Sequence, residues 1–278
     1  MKYTSTKNRH EAGLFRIWKE AFDEKDDYIA LFFKEARPLG HTLYCGPEHS
    51  PYAALTLFPI NLQWAGNIYS GYYLYALGVL QAQRGKGYGR QLLRQAREYA
   101  LKNQRAFILL QPTNHTLFAY YQGLGYTHSV SRASYTCSSN ALKTGDTNLQ
   151  NCLQKLSVPA SNRFIWPESM RPYILKECLF RGGALINPSA YCYPKQNESG
   201  IYVEIKEFYG PALETPLFIH KLLDHFPDAS RFTFYGKAQN PPFDQFQQAS
   251  FALVHFIDSQ AEALYYLNHD VSFALGLD

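Results

Sequence analysis

The chain is short of the residues that announce several common chemistries. Its 278 residues include only 5 cysteines, 2 methionines and 3 tryptophans. The cysteines (Cys45, Cys137, Cys152, Cys178 and Cys192) are scattered and odd in number, and no two form a CxxC pair. That argues against a zinc knuckle or a dithiol redox motif, and it points to reduced thiols. Charge of one sign is lacking too. Lys and Arg total 27 against 23 Asp and Glu, a formal charge of +4, which by itself implies no nucleic-acid partner. No stretch approaches the roughly 20 apolar residues of a membrane span. The opening MKYTSTKNRHEAGLF has no apolar core of a secretory signal. The expectation is a cytoplasmic protein with no metal, no membrane and no nucleic acid among its partners.

What is present is apolar and aromatic substance. Hydrophobic residues make up 46% and aromatic residues 16%, with 22 tyrosines and 19 phenylalanines. Such a chain can bury sizeable cores in one or two domains. Residues 10–22 repeat Leu14, Phe15, Ile17, Trp18, Ala21 and Phe22 at helical spacing. Asp26 or Asp27 can cap a second helix bearing Tyr28, Ile29, Leu31, Phe32 and Phe33. HTLYC, PYAALTLF and IYSGYYLYALGVL read as strands separated by turn residues. A helix over Arg90–Asn103 has Leu92, Leu93, Ala96, Tyr99 and Ala100 on one face. The run AFILL (106–110) is apolar throughout, as a parallel strand buried on both faces would be. Strand, loop, helix and strand make a βαβ unit, with a right-handed crossover expected. A short helix near 115–123 and a strand over 125–137 follow.

The loop of that unit reads QAQRGKGYGRQLL, residues 81–93. Glycine at 85, 87 and 89 removes the Cβ atoms that would hold a guest away, and it permits unusual backbone angles. Arg84, Lys86 and Arg90 add positive charge. The first amides of a helix lack carbonyl partners and the helix dipole favours anions there, so a pyrophosphate is the natural guest. The P-loop pattern needs GxxxxGK before Ser or Thr, and Lys86 sits in GKG instead. The dinucleotide fingerprint needs GxGxxG with a later acidic residue, whereas here the spacing is GxGxG and the next strand ends in Gln111.

Arg84-Gly85-Lys86-Gly87-Tyr88-Gly89 resembles the (Q/R)xxGx(G/A) signature of the GNAT superfamily of acyl-CoA-dependent N-acetyltransferases. The signature follows the strand YLYALGV and opens a helix, as that family requires. Downstream, NHTLFAYYQGLGY resembles the family's second segment, with Asn114, Tyr121, Leu124, Gly125 and Tyr126 in register. Leu117 stands where an alanine is usual. The resemblance covers about residues 10–137 and is strongest over 73–126. It implies a GNAT fold, α/β with a mixed central sheet flanked by helices, and acetyl-CoA as acyl donor.

Carried over residue by residue, the resemblance puts the coenzyme pyrophosphate on the amides of Gly85 to Arg90, namely Gly85, Lys86, Gly87, Tyr88, Gly89 and Arg90, with Arg84 at its edge. The pantetheine arm would pair with Leu77, Gly78 and Val79. Its thioester carbonyl would meet a backbone N–H near Val79, which can stabilise the developing oxyanion. Asn114 would touch the arm or shape the turn, with a plain helix N-cap as its rival role. Tyr121 would give a proton to the departing thiolate, with an ordinary core aromatic as the rival reading. A neutral amine of a small molecule or peptide would attack directly. His41, His49, Glu48 and His115 are candidate bases by residue type alone, and none is preferred. The alternatives to an acetyltransferase are a non-catalytic acyl-CoA sensor and aminoacyl transfer from a charged tRNA, the latter disfavoured by the intact loop.

Residues 138–162 are polar and turn-rich, with a short helix possible over Leu149–Leu156. They divide an N-terminal domain (1–137) from a second region (163–278). That region repeats the order strand, loop, helix and strand at 201–209, 210–214, 215–226 and 231–235, with YGPALET where the first half has RGKGYGR. The resemblance then implies a tandem form whose second, degenerate GNAT-like domain lacks the coenzyme loop. That second domain would wall the acceptor pocket or mediate assembly, so an oligomer stays open. A C-terminal carboxylate reaching the site is a further expectation.

Overall fold

The computed structural model describes residues 6–145, 153, 162–186, 190–206, 216–236, 247–259, 261–263 and 271–272. The chain opens with helix α1 (Thr6–Phe22), which buries Leu14, Ile17 and Trp18. Helix α2 (Asp26–Leu31) follows. Its N-cap is Lys25, with no side-chain cap. Asp26 and Asp27 therefore do not cap it. They lie in the first turn, where a carboxylate still favours the positive end of the helix.

Strands β1 (His41–Cys45), β2 (Ala53–Trp64) and β3 (Asn67–Val79) form an antiparallel meander. The sequence pattern ends β2 at Phe58 because Pro59 follows, yet the strand continues to Trp64. Proline cannot donate to a ladder. On the side of β2 away from β3, β1 covers 53–57 and a later strand covers 61–63, so Pro59 falls in the gap between them.

Next come α3 (Tyr88–Lys102), β4 (Phe107–Leu110) and α4 (His115–Gln122). β4 is buried throughout and lies parallel to β3, as the AFILL run required. Strand β5 (His128–Ser138) and helix α5 (Ser139–Thr144) follow. The Leu149–Leu156 helix expectation lies outside the described residues except at Leu153.

The remainder contributes β6 (Asn162–Ile165), α6 (Arg171–Phe180), β7 (Ala184–Ile186), β8 (Ala190–Asn197) and β9 (Gly200–Lys206). Then follow α7 (Pro216–His225), β10 (Ala229–Gly236), β11 (Gln247–Phe256) and β12 (Val271–Ser272). β9 and β10 are parallel, so a second strand–helix–strand unit is present. The YGPALET loop within it and the C-terminal FALGLD lie outside the described residues.

Among the described residues, the strands join in one sheet ordered β12-β6-β2-β3-β4-β11-β5-β10-β9-β8-β7, with β1 also on β2. Three of the later strands thus pair with strands of the first half, β10 among them on the outer edge of β5. β6 lies on β2, and β11 lies between β4 and β5. Neither β6 nor β11 was anticipated from sequence. The largest core cluster reflects this continuity, running from Trp18 and Phe32 through Phe58 and Phe107 to Trp166, Tyr173 and Val254.

A candidate acyl-coenzyme site where two parallel strands part

β3 and β4 are in register at Tyr72–Ile108, Tyr73–Leu109 and Leu74–Leu110. β4 then ends, while β3 runs on to Val79. Its pairing with β2 slips at the same place. Tyr75 faces Thr56 and Gly78 faces Ala54, which leaves Ala76 and Leu77 opposite one residue. This is a β-bulge, and Ala76 takes a positive φ of 54° within it. The backbone edge of Tyr75–Val79 that would have met β4 therefore borders a cleft of about 1240 Å³.

α1 covers this stretch. A Cβ on Gly78 would lie 2.8 Å from Ile17 Cγ2 and 3.0 Å from Ala21 Cβ. Gly78 therefore serves first to let the helix lie close on the strand. At the far end of the cleft, Gly85 and Gly87 have φ of 77° and 84°, angles that L side chains rarely adopt. A Cβ on either would meet no protein atom within 4 Å. These two glycines are thus required by backbone angle, and the volume above them is open to a guest. Gly87 is the N-cap of α3, whose first amide with a carbonyl partner outside the helix is Gln91 N–H, on Gly87 O at 3.0 Å. The preceding amides keep the anion-binding character of a helix N-terminus. A coenzyme pyrophosphate fits this cradle in charge, in backbone conformation and in room.

The basic residues divide in role. Arg84 Nε donates to Val79 O at 3.4 Å, tying the loop to the strand end. Lys86 Nζ donates to Gln83 Oε1 at 2.9 Å and does not line the cleft. Arg90 is exposed and does line it. Tyr88 packs on Tyr52 at 5.4 Å between ring centroids. Leu77, Gly78, Val79, Arg84, Gly85, Gly87, Tyr88, Gly89, Arg90, Asn114 and Tyr121 all line the one cleft.

Asn114 is the N-cap of α4, its Oδ1 accepting from Leu117 N–H at 2.9 Å. Tyr121 lies about two turns further along that helix, buried at 7% exposure. It makes edge-on contacts with Tyr120 at 5.2 Å and Tyr126 at 5.9 Å. Burial, with these two rings adding to it, pushes its hydroxyl well above the ordinary phenol range. Tyr121 therefore holds its proton at any physiological pH. Tyr120 also lines the cleft, with its hydroxyl 3.1 Å from where a Gly89 Cβ would stand.

None of His41, Glu48, His49 and His115 lines the cleft. His41 is stacked on Tyr99 at 4.0 Å, and burial lowers its pKa. The acidic residue that does line it is Glu24, in the turn between α1 and α2, alongside Trp18, Phe22, Tyr73 and Tyr75. Sequence reasoning missed Glu24 because it sits in the charge run DEKDD, which carries no periodic or motif signal. Among the described residues no three His, Cys, Asp or Glu side chains gather as metal ligands, and no helix is long and apolar enough to cross a membrane.

The sequence profile of the acetyltransferase (GNAT) domain matches residues 2–129. A conserved protein of unknown function from Enterococcus faecalis V583, described as a probable N-acyltransferase, superposes with a TM-score of 0.63 at 13% identity, covering 95% of this chain and 73% of that one. A GCN5-related N-acetyltransferase from Kribbella flavida gives 0.61 at 14% identity, over 90% and 70% of the two chains. Eis1 from Mycobacterium abscessus gives 0.59 at 13% identity, over 93% and 74%. No curated protein matches by sequence. At these identities the superpositions speak for the fold, while the sequence profile speaks for the domain it matches. Residues 2–129 match the acetyltransferase domain of the GNAT superfamily, within a chain that has the fold of these N-acetyltransferases.

Proposed function

We propose that the protein transfers an acetyl group from acetyl-CoA to a primary amine by direct attack. The observation that carries this reading is the cleft in which β3 outruns β4 and ends on the positive-φ glycines of the helix cradle. The pyrophosphate rests on the amides from Gly85 to Arg90, with Arg90 beside it. The pantetheine arm takes the ladder positions that β4 vacates along Leu77, Gly78 and Val79. An extended chain held in this way gains main-chain hydrogen bonds and needs only that side chains stay clear. A backbone N–H near Val79 donates to the thioester oxygen as charge develops there.

Tyr121 holds its proton, so its role is to donate a hydrogen bond to the departing sulfur. A free thiol titrates near ~8.5 and a phenol near ~10. With the phenol raised further by burial, full proton transfer to the thiolate runs uphill, and the hydrogen bond is the larger contribution. Asn114 sets the start of α4 and so fixes where Tyr121 stands. The acceptor is a small molecule or peptide amine, and the setting is the cytoplasm. Residues 1–137 form the acetyltransferase domain, 138–162 the connection and 163–278 a degenerate GNAT-like partner, whose strand β11 sits between two strands of the first domain.

Calorimetric titration with acetyl-CoA tests the reading, on wild type and on Gly87→Glu. Wild type should bind at micromolar strength. The variant combines a strained φ with a carboxylate in the anion cradle and should not bind measurably. Failure of both to bind overturns the proposal. Binding without release of free CoA against any amine points instead to an acyl-CoA sensor.

A further inference from the structure

The second half of the molecule meets the cleft wall at Arg181, which engages Glu24, and at Trp166, which packs on Tyr73 at 5.1 Å. Arg181 follows α6. Its Nη2 donates to Glu24 Oε1 at 3.3 Å, and its Nε donates to Glu177 Oε1 at 2.6 Å. Glu177 is fully buried and also accepts from Tyr193 Oη at 3.1 Å. The Arg181 guanidinium lies over the Tyr28 ring at 4.3 Å. Tyr28 Oη is 3.1 Å from Tyr75 Oη, on the residue just before the bulge in β3. Lys206 is another buried cation here, with its Nζ 4.6 Å from the Tyr193 ring. The chain of contacts from Glu177 to Arg181 to Glu24 thus runs from the buried core of the second half to the cleft of the first.

Three features of Glu24 point to a ligand. It is the acidic residue of a cleft whose other end carries Arg84 and Arg90. Arg181 is engaged more closely by Glu177, at 2.6 Å, than by Glu24, at 3.3 Å. The surrounding wall is aromatic, with Trp18, Phe22, Tyr73 and Tyr75, and Phe22 is 38% exposed. A carboxylate fixed by an arginine amid aromatic faces attracts a cation carried on an apolar body. Lys19 does not compete for the carboxylate. It is spent on the Glu24 backbone carbonyl and on Asp26, and so pins the turn.

We infer that Glu24 is the anchor for a cationic group of the acceptor, and that Arg181 of the second half is the positioning residue that holds Glu24 in the cleft. The acceptor class is a cationic amine on an apolar or aromatic body. This rests on the acetyl-transfer reading above. The second half thereby gains a specific role, because the acceptor end of the site is incomplete without Arg181.

The test is acetyl transfer from acetyl-CoA, followed by CoA release, to 2-phenylethylamine, to 1,5-diaminopentane and to glycine, which carries its own carboxylate. Wild type should favour the first two over glycine. Glu24→Gln removes the charge while keeping the shape. It should raise KM for 1,5-diaminopentane, whose one ammonium can stay on the carboxylate while its other, neutral nitrogen attacks, about ten- to hundredfold, the value of one charge-assisted hydrogen bond. The calorimetric Kd for acetyl-CoA should stay within about twofold. Arg181→Met should raise the same KM, and Arg181→Lys should raise it less, because an ammonium keeps charge but cannot fork to two carboxylates. Should Arg181→Met melt far below wild type, Glu24→Gln still decides the matter, since Glu24 lies in a partly exposed turn.

An unchanged KM in Glu24→Gln, or a preference of wild type for glycine, overturns the inference and leaves acetyl transfer standing. Acetyl-CoA binding with no transfer to any of the three amines overturns the acetyl-transfer reading itself, and the acceptor anchor with it.

Discussion

Among the described residues lie two parallel strand–helix–strand units, and one of them opens. In the first, β3 and β4 share three registered pairs and then part, so that Tyr75 to Val79 border a cleft. In the second, β9 and β10 stay paired from Ile201–Ala229 to Ile205–Phe234, nearly the whole of β9. The second unit is filled with apolar side chains, and Val203, Ile205, Phe218, Leu222, Phe232 and Phe234 are fully buried. The units share connectivity and differ in whether one strand outruns its neighbour. A βαβ crossover therefore does not make a coenzyme site. The site needs a bulge to turn the strand, a short partner that stops early, and a helix N-terminus entered through positive-φ glycines.

The comparison can be broken from either side. The largest expected effect is in the closed unit. Phe232→Ala should cost about 3–5 kcal/mol of stability, as a cavity in a fully buried aromatic position does. The Kd for acetyl-CoA, measured well below the melt, should stay within about twofold of wild type. A large loss of coenzyme affinity in the folded variant would mean that the two units are not separable in function.

In the open unit, Tyr121→Phe should lower kcat about ten- to hundredfold, because the donor to the leaving sulfur is lost. The Kd for acetyl-CoA should not change. Stopped-flow release of CoA measures the first and calorimetry the second. Turnover at the wild-type rate would transfer the role to Tyr120, the phenol next to it on α4, and Tyr120→Phe is the paired control.

Next in size is the bulge. Ala76→Val puts a β-branched residue at φ 54°, where strain costs about 1–3 kcal/mol. Ala76→Gly should leave stability within about 1 kcal/mol of wild type, because relieved strain and added unfolded-state entropy oppose each other. Equal melting of the two variants would show that the bulge relaxes at no cost and is not what parts the strands.

The smallest effect concerns the seam where β11 enters between β4 and β5. His255 Nδ1 donates to Gly125 O at 2.7 Å, and the His128 ring packs on Phe256 at 5.1 Å. Burial lowers the pKa of both imidazoles below the usual value near 6.5. The unfolded chain then takes up protons first. Their stabilising contribution is complete above about pH 6.5 and is lost as pH falls toward their folded values. Tm should drop by a few degrees between about pH 7 and about pH 5. The drop should shrink in the His128→Gln, His255→Gln double variant, and an unchanged drop would assign the acid sensitivity to other groups.

Much of the fold was legible because its elements are periodic. α1, α3 and the buried run of β4 follow from apolar spacing alone, and the glycine loop with its following helix follows from backbone physics. The β6 and β11 strands escaped. β6 is four residues beside a polar stretch, and Gln247–Phe256 mixes exposed polar residues with a buried end, so neither period stands out. The helix caps at Asp26 and Asp27 failed because the residue before them took the extended cap conformation without contributing a side chain. Glu24 and Arg181 lie 157 residues apart in sequence, and no local pattern could join them.

Chemistry that is local followed from the order of residues. Glycines at alternate positions before an apolar helix dictate an anion cradle, since positive φ and unpaired helix amides are properties of a few consecutive residues. Asn114 capping a helix that carries Tyr121 is local in the same way. Whatever depends on distant neighbours waited for the folded chain. Where β3 loses its partner, which residues wall the cleft, and how Arg181 comes to hold Glu24 all depend on strand order, and strand order is set by pairing free energies summed over the whole sheet rather than by any short stretch of chain.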